Sequence, residues 1–238
     1  MKGIKRFYNN LYQEKTKHEY QRECEKRRKD FLHKYILFFL NPYENTRHEI
    51  VRKMLPSGET YLDIGCWSGD STIAYGVFDK FKEVYAVELS EGAANKAKGK
   101  GIKVSICDIN SDELPYQENY FDCITFIDVI EHLVDPFHIL KEIKRVLKSD
   151  GTLIIGTANI ASFSNRIRIL TGRRPRTSFD IGWDGGHLLY FTPNDLKGLL
   201  KQYGFEIVEE YATGNLQFLR KLFFNLSGEF IFKCRLVK

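Results

Sequence analysis

The sequence predicts a doubly wound α/β fold: a mostly parallel seven-stranded sheet with helices on both faces and N-terminal helices as a cap. Two observations carry this prediction. From Thr60 onward, short runs rich in Val, Ile, Tyr and Phe alternate with helical patterns, and apolar runs of that kind suit strands buried on both faces. The stretch at 135–147 is a clear crossover helix, and strands alternating with helices imply a parallel sheet with right-handed connections.

Residues 1–58 read as a helical arm and 59–238 as the domain proper, with 159–190 as an insertion. The arm is basic, with eleven Lys/Arg against five Asp/Glu over residues 1–40, in a chain of net charge +5. Its most apolar run, FLHKYILFFL at 31–40, holds ten residues including His33 and Lys34. A membrane span needs about 20, so a buried helix is expected there. No apolar h-region opens the chain, and none of the five cysteines forms a CxxC pair. Both features fit buried free thiols and a cytoplasmic location.

The first strand, TYLDIG, ends in the glycine turn LDIGCWSGD at 62–70. EVYAVEL, KVSIC, FDCITFI and GTLIIGTA supply the second to fifth strands, with DSTIAYGVF and EGAANKAKGK as the first two intervening helices. In DPFHILKEIKRVLK, Asp135 fits an N-cap and Pro136 the first helical position. Ile139, Leu140, Ile143, Val146 and Leu147 then form one stripe before a stop at Asp150-Gly151. After the insertion, Thr192, Pro193 and Asp195 make a capping-box pattern. YGFEIVEEY and GEFIFKCRLVK are the last two strands, the final one antiparallel to its neighbours.

The glycine turn selects the ligand. In open α/β sheets ligands sit beyond the carboxyl ends of the strands, and the first turn is the usual place. A GxGxxG fingerprint starting at Gly65 needs glycines where Trp67 and Asp70 stand, and no GK[ST] is present. Asp70 would also face a pyrophosphate at the helix N-terminus. The spacing D-x-G-x-x-x-G, from Asp63 through Gly65 to Gly69, suits a zwitterionic ligand without phosphates. Glu88 ends the second strand, where an acid accepts hydrogen bonds from both ribose hydroxyls. Asp108 follows the third strand, placed to accept from an adenine amino group.

On these residues the chain resembles the class I S-adenosylmethionine-dependent methyltransferases, in particular the small-molecule group around ubiquinone-type O-methyltransferases. The blocks LDIGCWSG, VYAVELS, ICDI, LPYQENYFDCITFIDVIEHLVDP, LKEIKRVLKSDGTLIIGTAN and HLLYFTPNDLKGLLKQYGF carry the likeness, over residues 60–211. The resemblance implies the Rossmann-like methyltransferase fold and S-adenosyl-L-methionine as cofactor. It implies that Asp63, Gly65 and Gly69 shape the methionine end and Glu88 holds the ribose. Asp108 and Ile109 would flank the adenine, with Ile127 and Asp128 closing over the sulfonium. Cys66, Trp67, Leu89 and His132 belong to the same expected cofactor set. Trp67 departs from the family pattern, which has glycine there.

The expected activity is methyl transfer to a small-molecule acceptor, most readily an oxygen. An RNA or protein methyltransferase and a non-catalytic binding domain are the alternatives. Residues 159–190 and the helices of 20–55 are expected to form a lid over the acceptor. Within that insertion His187 is the candidate base, against a structural histidine bonded to the loop. Glu131-His132 either touches ligand or caps the next turn. The five arginines from Arg166 to Arg176 suggest an anionic acceptor, such as a phosphorylated sugar or acidic lipid head, or a solvated loop. Nucleic acid is a less favoured partner. The six histidines show no metal-type spacing, so no metal is expected.

Overall fold

The computed structural model describes residues 46–177, 186–213 and 223–237. The expected helices of 20–45, the apolar run at 31–40 and Cys24 lie outside them, as do residues 178–185 of the insertion.

The described chain begins with α1 (Thr46–Met54) and β1 (Gly58–Ile64), followed by α2 (Asp70–Ala74), β2 (Phe81–Glu88), α3 (Glu91–Lys98) and β3 (Lys103–Ile106). Then come β4 (Phe121–Ile127), α4 (Pro136–Val146), β5 (Leu147–Ala158), α5 (Phe163–Leu170), α6 (Pro193–Gln202), β6 (Phe205–Ala212) and β7 (Glu229–Leu236). The seven strands form one sheet in the order β3-β2-β1-β4-β5-β7-β6. β1 to β5 pair in parallel, whereas β7 runs antiparallel to both β5 and β6. The order reverses between β1 and β4, which opens a crevice at their carboxyl ends.

Strand parity divides the core. Leu62, Ile64, Ile124, Phe126, Leu153, Ile155, Phe230 and Phe232 face the apolar stripe of α4 (Ile139, Leu140, Ile143, Val146) and Leu196 and Leu200 of α6. The opposite face, with Tyr61, Val84, Ala86, Cys123, Ile154 and Ile231, is covered by Ile50, Val51 and Met54 of α1 and Ala94 and Ala97 of α3. Each large side chain so buried contributes roughly 1.5–3 kcal/mol. Four cysteines, Cys66, Cys107, Cys123 and Cys234, are buried free thiols.

The helix caps follow the residue pattern. Asp135 accepts from the amides of Phe137 and His138, and Thr192 forms a capping box with Asp195. α4 stops sooner than the sequence suggests. Leu147 already has extended angles and pairs with Phe121, so residues 147–150 join the start of β5 rather than the helix. The helix expected at DSTIAYGVF is divided, because Gly76 at φ 71° ends α2 and starts a separate 3₁₀ turn at Val77–Asp79.

Candidate active site

A cleft of about 360 Å³ opens at the carboxyl ends of β1 to β4, within the usual range for small-ligand sites. Gly65 and Trp67 come from the turn after β1, Glu88 and Leu89 from the end of β2, and Asp108, Ile109 and Asn110 from the loop after β3. Asp128, Val129, His132 and Leu133 arrive from the segment after β4. Eight of the residues expected from sequence meet here: Gly65, Trp67, Glu88, Leu89, Asp108, Ile109, Asp128 and His132.

Asp63, Cys66, Gly69 and Ile127 do not line this cleft. The Asp63 side chain turns to the α2 face, where it accepts from Thr72 and, at 2.8 Å, from Thr125 Oγ1. It braces the strand end from behind. Cys66 is buried, and its thiol donates to the Trp67 carbonyl at 3.5 Å. Gly69, at φ 77°, starts α2, and a Cβ there would sit 2.7 Å from Ile102 Cδ1 and 3.1 Å from Ala97 Cβ. Its smallness serves packing against α3. Gly65 also has φ 77°, and its missing Cβ would lie 2.5 Å from Val129 Cγ2 in the cleft wall.

Trp67 adopts φ 50°, a left-handed conformation that costs an L-residue about 1–2 kcal/mol. The glycine of the family pattern therefore answers a backbone requirement that Trp67 meets under strain. The return is a hydrogen bond, since its amide donates to Glu88 Oε2 at 2.9 Å. Glu88 Oε1 accepts from the Ser90 amide at 2.8 Å, so two backbone donors fix the carboxylate at the cleft wall. Burial raises the Glu88 carboxyl above its ordinary range, opposed by the Ser90, Trp67 and Leu89 amides. Asp108 accepts from the Asn110 backbone and side-chain amides, at 3.2 and 3.3 Å.

The segment after β4 holds a part-buried charged network. Asp128, at φ 53°, pairs with Arg47 of α1, whose Nε also lies 2.9 Å from Glu229 Oε1 at the start of β7. Glu131 is buried, and its Oε2 has no well-formed hydrogen bond. Burial, then the Asp128 charge, pushes the Glu131 carboxyl well above the carboxylate range. Burial raises Glu229 too, with Arg47 pulling the other way. His132 is depressed to about 4, first by burial and then by His187, so its imidazole is neutral at neutral pH.

His187 does not line the cleft. Its ring sits edge-on to His132 with centroids 4.7 Å apart. Its Nδ1 is 2.7 Å from Thr177 Oγ1 and its Nε2 is 4.0 Å from Glu131 Oε1. The Glu131 carbonyl accepts from the amides of Leu188 and Leu189 at 2.8 and 3.0 Å, tying the insertion to the site. Histidine spacing in the sequence gave no metal motif, yet the fold brings Glu131, His132 and His187 together with ligand atoms all within 4.8 Å of one another. A carboxylate with two imidazoles is a donor set of the kind divalent cations take. None of the five arginines from Arg166 to Arg176 reaches the cleft.

A seven-stranded doubly wound sheet with acids after β2, β3 and β4 around one cleft defines a nucleoside-cofactor-binding enzyme class, that of the class I S-adenosylmethionine-dependent methyltransferases. The chain belongs to the methyltransferase-domain family, whose model matches residues 19–210. Glu88 supports the fit to S-adenosyl-L-methionine, because both its oxygens are oriented by amides at the cleft wall and keep acceptor capacity for a diol.

Among its relatives, the 27-O-demethylrifamycin SV methyltransferase of Amycolatopsis mediterranei is 29% identical over 43% of this chain and 40% of that protein. Demethylmenaquinone methyltransferase of Bacillus mycoides is 33% identical over 45% of this chain and 48% of that protein. The chain thus matches under half the length of these relatives. A solved structure, a putative methyltransferase from Bacillus halodurans, superposes with a TM-score of 0.61 at 19% identity, over 82% of this chain and all of that one. It shares the fold.

Sequence reasoning missed Arg47, Glu229, Asn110, Val129 and Leu133. Glu229 was within reach: an acid opening a strand already read as antiparallel belongs at the cleft end. Arg47 carried no signal apart from lying near a basic arm.

Proposed function

We propose that this chain transfers the methyl group of S-adenosyl-L-methionine to a small-molecule acceptor, with an oxygen as the receiving atom. One observation carries the reading: Glu88, Asp108 and Asp128, after successive strands, line one cleft together with His132. The Amycolatopsis and Bacillus relatives are named for small-molecule substrates, and the first for an O-demethyl compound.

When bound, the cofactor supplies a methyl carbon already made electrophilic by its sulfonium. The protein must then align, exclude water and take up a proton. In this reading Glu88 receives the ribose hydroxyls, Asp108 and Ile109 border the adenine, and Gly65, Trp67 and Asp128 border the amino-acid end. Asp63 and Gly69 support that end from behind, with Cys66 and Ile127 packed beneath it. In place of His187, the base proposed here is His132. His132 faces the cleft as a neutral imidazole, with the His187 ring packed edge-on against it.

Calorimetry with S-adenosylmethionine tests the reading. Saturable binding at micromolar concentration is expected, and no heat at millimolar ligand would overturn it.

A further inference from the structure

α5 is built inside out. Asn165 is its body-facing residue, 1% exposed. Its amide nitrogen donates to the Arg176 carbonyl at 2.9 Å, and its oxygen accepts from the Arg176 amide at 2.8 Å. With about 100° of rotation per residue, Phe163, Ile167 and Leu170 cluster on the opposite side. They are 47%, 45% and 80% exposed; Ile169 lies on the flank nearer Asn165 and is 58% exposed. A helix lying on a globular domain ordinarily turns its apolar stripe inward.

Arginines surround these apolar side chains. Arg166, Arg168, Arg173, Arg174 and Arg176 fall in a stretch, 159–177, that contains no Asp or Glu. Among the described residues no salt bridge forms to any of them; Arg166 and Arg168 are held instead to the carbonyls of Ala161 and Arg174, at 2.8 and 2.7 Å. Burial, and then repulsion from Arg176, Arg173 and Arg174, lowers the Arg168 pKa, as expected of a concentrated positive field.

We infer that α5 and the arginine loop after it form a docking surface for an anionic lipid bilayer, the apolar side chains entering the headgroup boundary and the guanidinium groups meeting lipid phosphates. Exposed apolar residues beside excess positive charge are what an interfacial helix offers such a surface. A polyanion such as nucleic acid would use the arginines but leave Ile167 and Leu170 in water. A second copy would have to set this arginine cluster against its own. No helix among the described residues is long and apolar enough to cross a membrane, so the contact is peripheral. α5 leaves the carboxyl end of β5, the end of the sheet at which the cleft opens. Docking therefore turns the cleft rim toward lipid and selects a bilayer-dissolved acceptor; this last step rests on the methyltransferase reading.

The test is flotation of the full chain with phosphatidylglycerol-containing vesicles and with pure phosphatidylcholine vesicles, at low and high salt. Co-flotation with the anionic vesicles only, weakened by salt, is expected. Ile167→Glu/Leu170→Glu and Arg173→Glu/Arg174→Glu should each reduce it by about tenfold or more while S-adenosylmethionine binding by calorimetry stays as in the parent. No flotation, or flotation unaffected by either variant, overturns the inference. So does loss in the arginine variant alone, which means a purely ionic contact. Self-association abolished by the leucine variant without vesicle binding also overturns it, in favour of a contact between copies. Failure of the parent chain to bind S-adenosylmethionine would instead refute the methyltransferase reading and leave the vesicle result standing.

Discussion

The backbone amide of Trp67 donates to Glu88 Oε2 across 2.9 Å, joining the turn after β1 to the end of β2. The turn sets the carboxylate on which cofactor recognition is proposed to depend, and it does so through main chain. The contact therefore survives changes of side chain at position 67 that keep the left-handed backbone.

Trp67→Gly is accordingly expected to retain S-adenosylmethionine affinity within a few-fold. Glycine relieves a φ of 50° whose cost is about 1–2 kcal/mol, against a larger backbone entropy in the unfolded chain. Denaturant melts should find the variant as stable as the parent or slightly more so, after allowing for the lost contacts of the indole. A hundredfold loss of affinity in calorimetry would mean that the indole itself holds the cofactor.

Gly65→Val should abolish cofactor binding. The added Cβ meets Val129 Cγ2 at 2.5 Å in a backbone at φ 77°, so the cleft wall must move. Strain and overpacking together cost about 2–5 kcal/mol. Circular dichroism separates a folded variant with a distorted cleft from an unfolded chain. Gly65→Ala carries the same φ penalty and the same Cβ contact with a smaller side chain, and should fall between parent and Gly65→Val in affinity.

Glu88→Gln keeps one acceptor oxygen for the backbone donors and replaces the other by an amide. The expected result is a loss of cofactor affinity of roughly tenfold to a hundredfold, typical of losing a charge-assisted hydrogen bond, with a stability loss of about 1–3 kcal/mol because the new NH2 faces one of the backbone donors. Unchanged affinity would place the ribose elsewhere.

Arg47→Met removes the cation shared by Asp128 and Glu229. Breaking a buried pair costs about 3–5 kcal/mol; with the Arg47 side chain 28% exposed, a smaller loss of about 2–4 kcal/mol is expected. Adding Glu229→Gln should recover part of it, because the orphaned acid is then neutral. An additive double-mutant cycle would show that the two side chains do not interact.

His132 gives a pH signature. Burial and His187 hold it near 4, below the ordinary value of about 6.5. The unfolded chain takes up a proton below about 6.5 and the folded chain does not, so His132 supports the fold above that pH and its contribution is lost as pH falls toward 4. His132→Gln should therefore show a shallower acid-side loss of stability than the parent, by roughly 1–3 kcal/mol. Parallel stability curves for the two proteins would contradict the buried neutral state. His187→Ala, by removing a repulsive neighbour, should move the acid limb of the pH–activity profile upward.

Much of the fold was legible because periodicity reports burial directly. The five parallel strands, α4 with its Asp135 cap, and the antiparallel β7 all follow from apolar runs and capping chemistry. Glu88 and Asp108 were legible for a related reason, since a residue that ends a parallel strand must lie at the cleft end. The sequence places Asp63 at the methionine end of the cleft but carries no sign of the hydroxyl partners its side chain takes. Parity along β1 sends its side chain toward Thr72 and Thr125. The charged network was not legible, because Arg47, Asp128 and Glu229 converge only when both ends of the described chain meet over β4. His187 reaches His132 by the path of an insertion that has no periodicity to read.

β7 runs against its neighbours, so its first residue, Glu229, stands beside Ala158 at the same end of the sheet as the cleft. During synthesis, the strands that line the cofactor cleft are made long before this one, and β5 can pair with β4 while its other edge is still bare. Arg47 and Asp128 must wait for the last strand to insert before their third partner arrives, a contact of long sequence separation that topology makes slow. Topology therefore makes the three-way pairing of Arg47, Asp128 and Glu229 the most non-local contact of this end of the sheet, and a late one in synthesis.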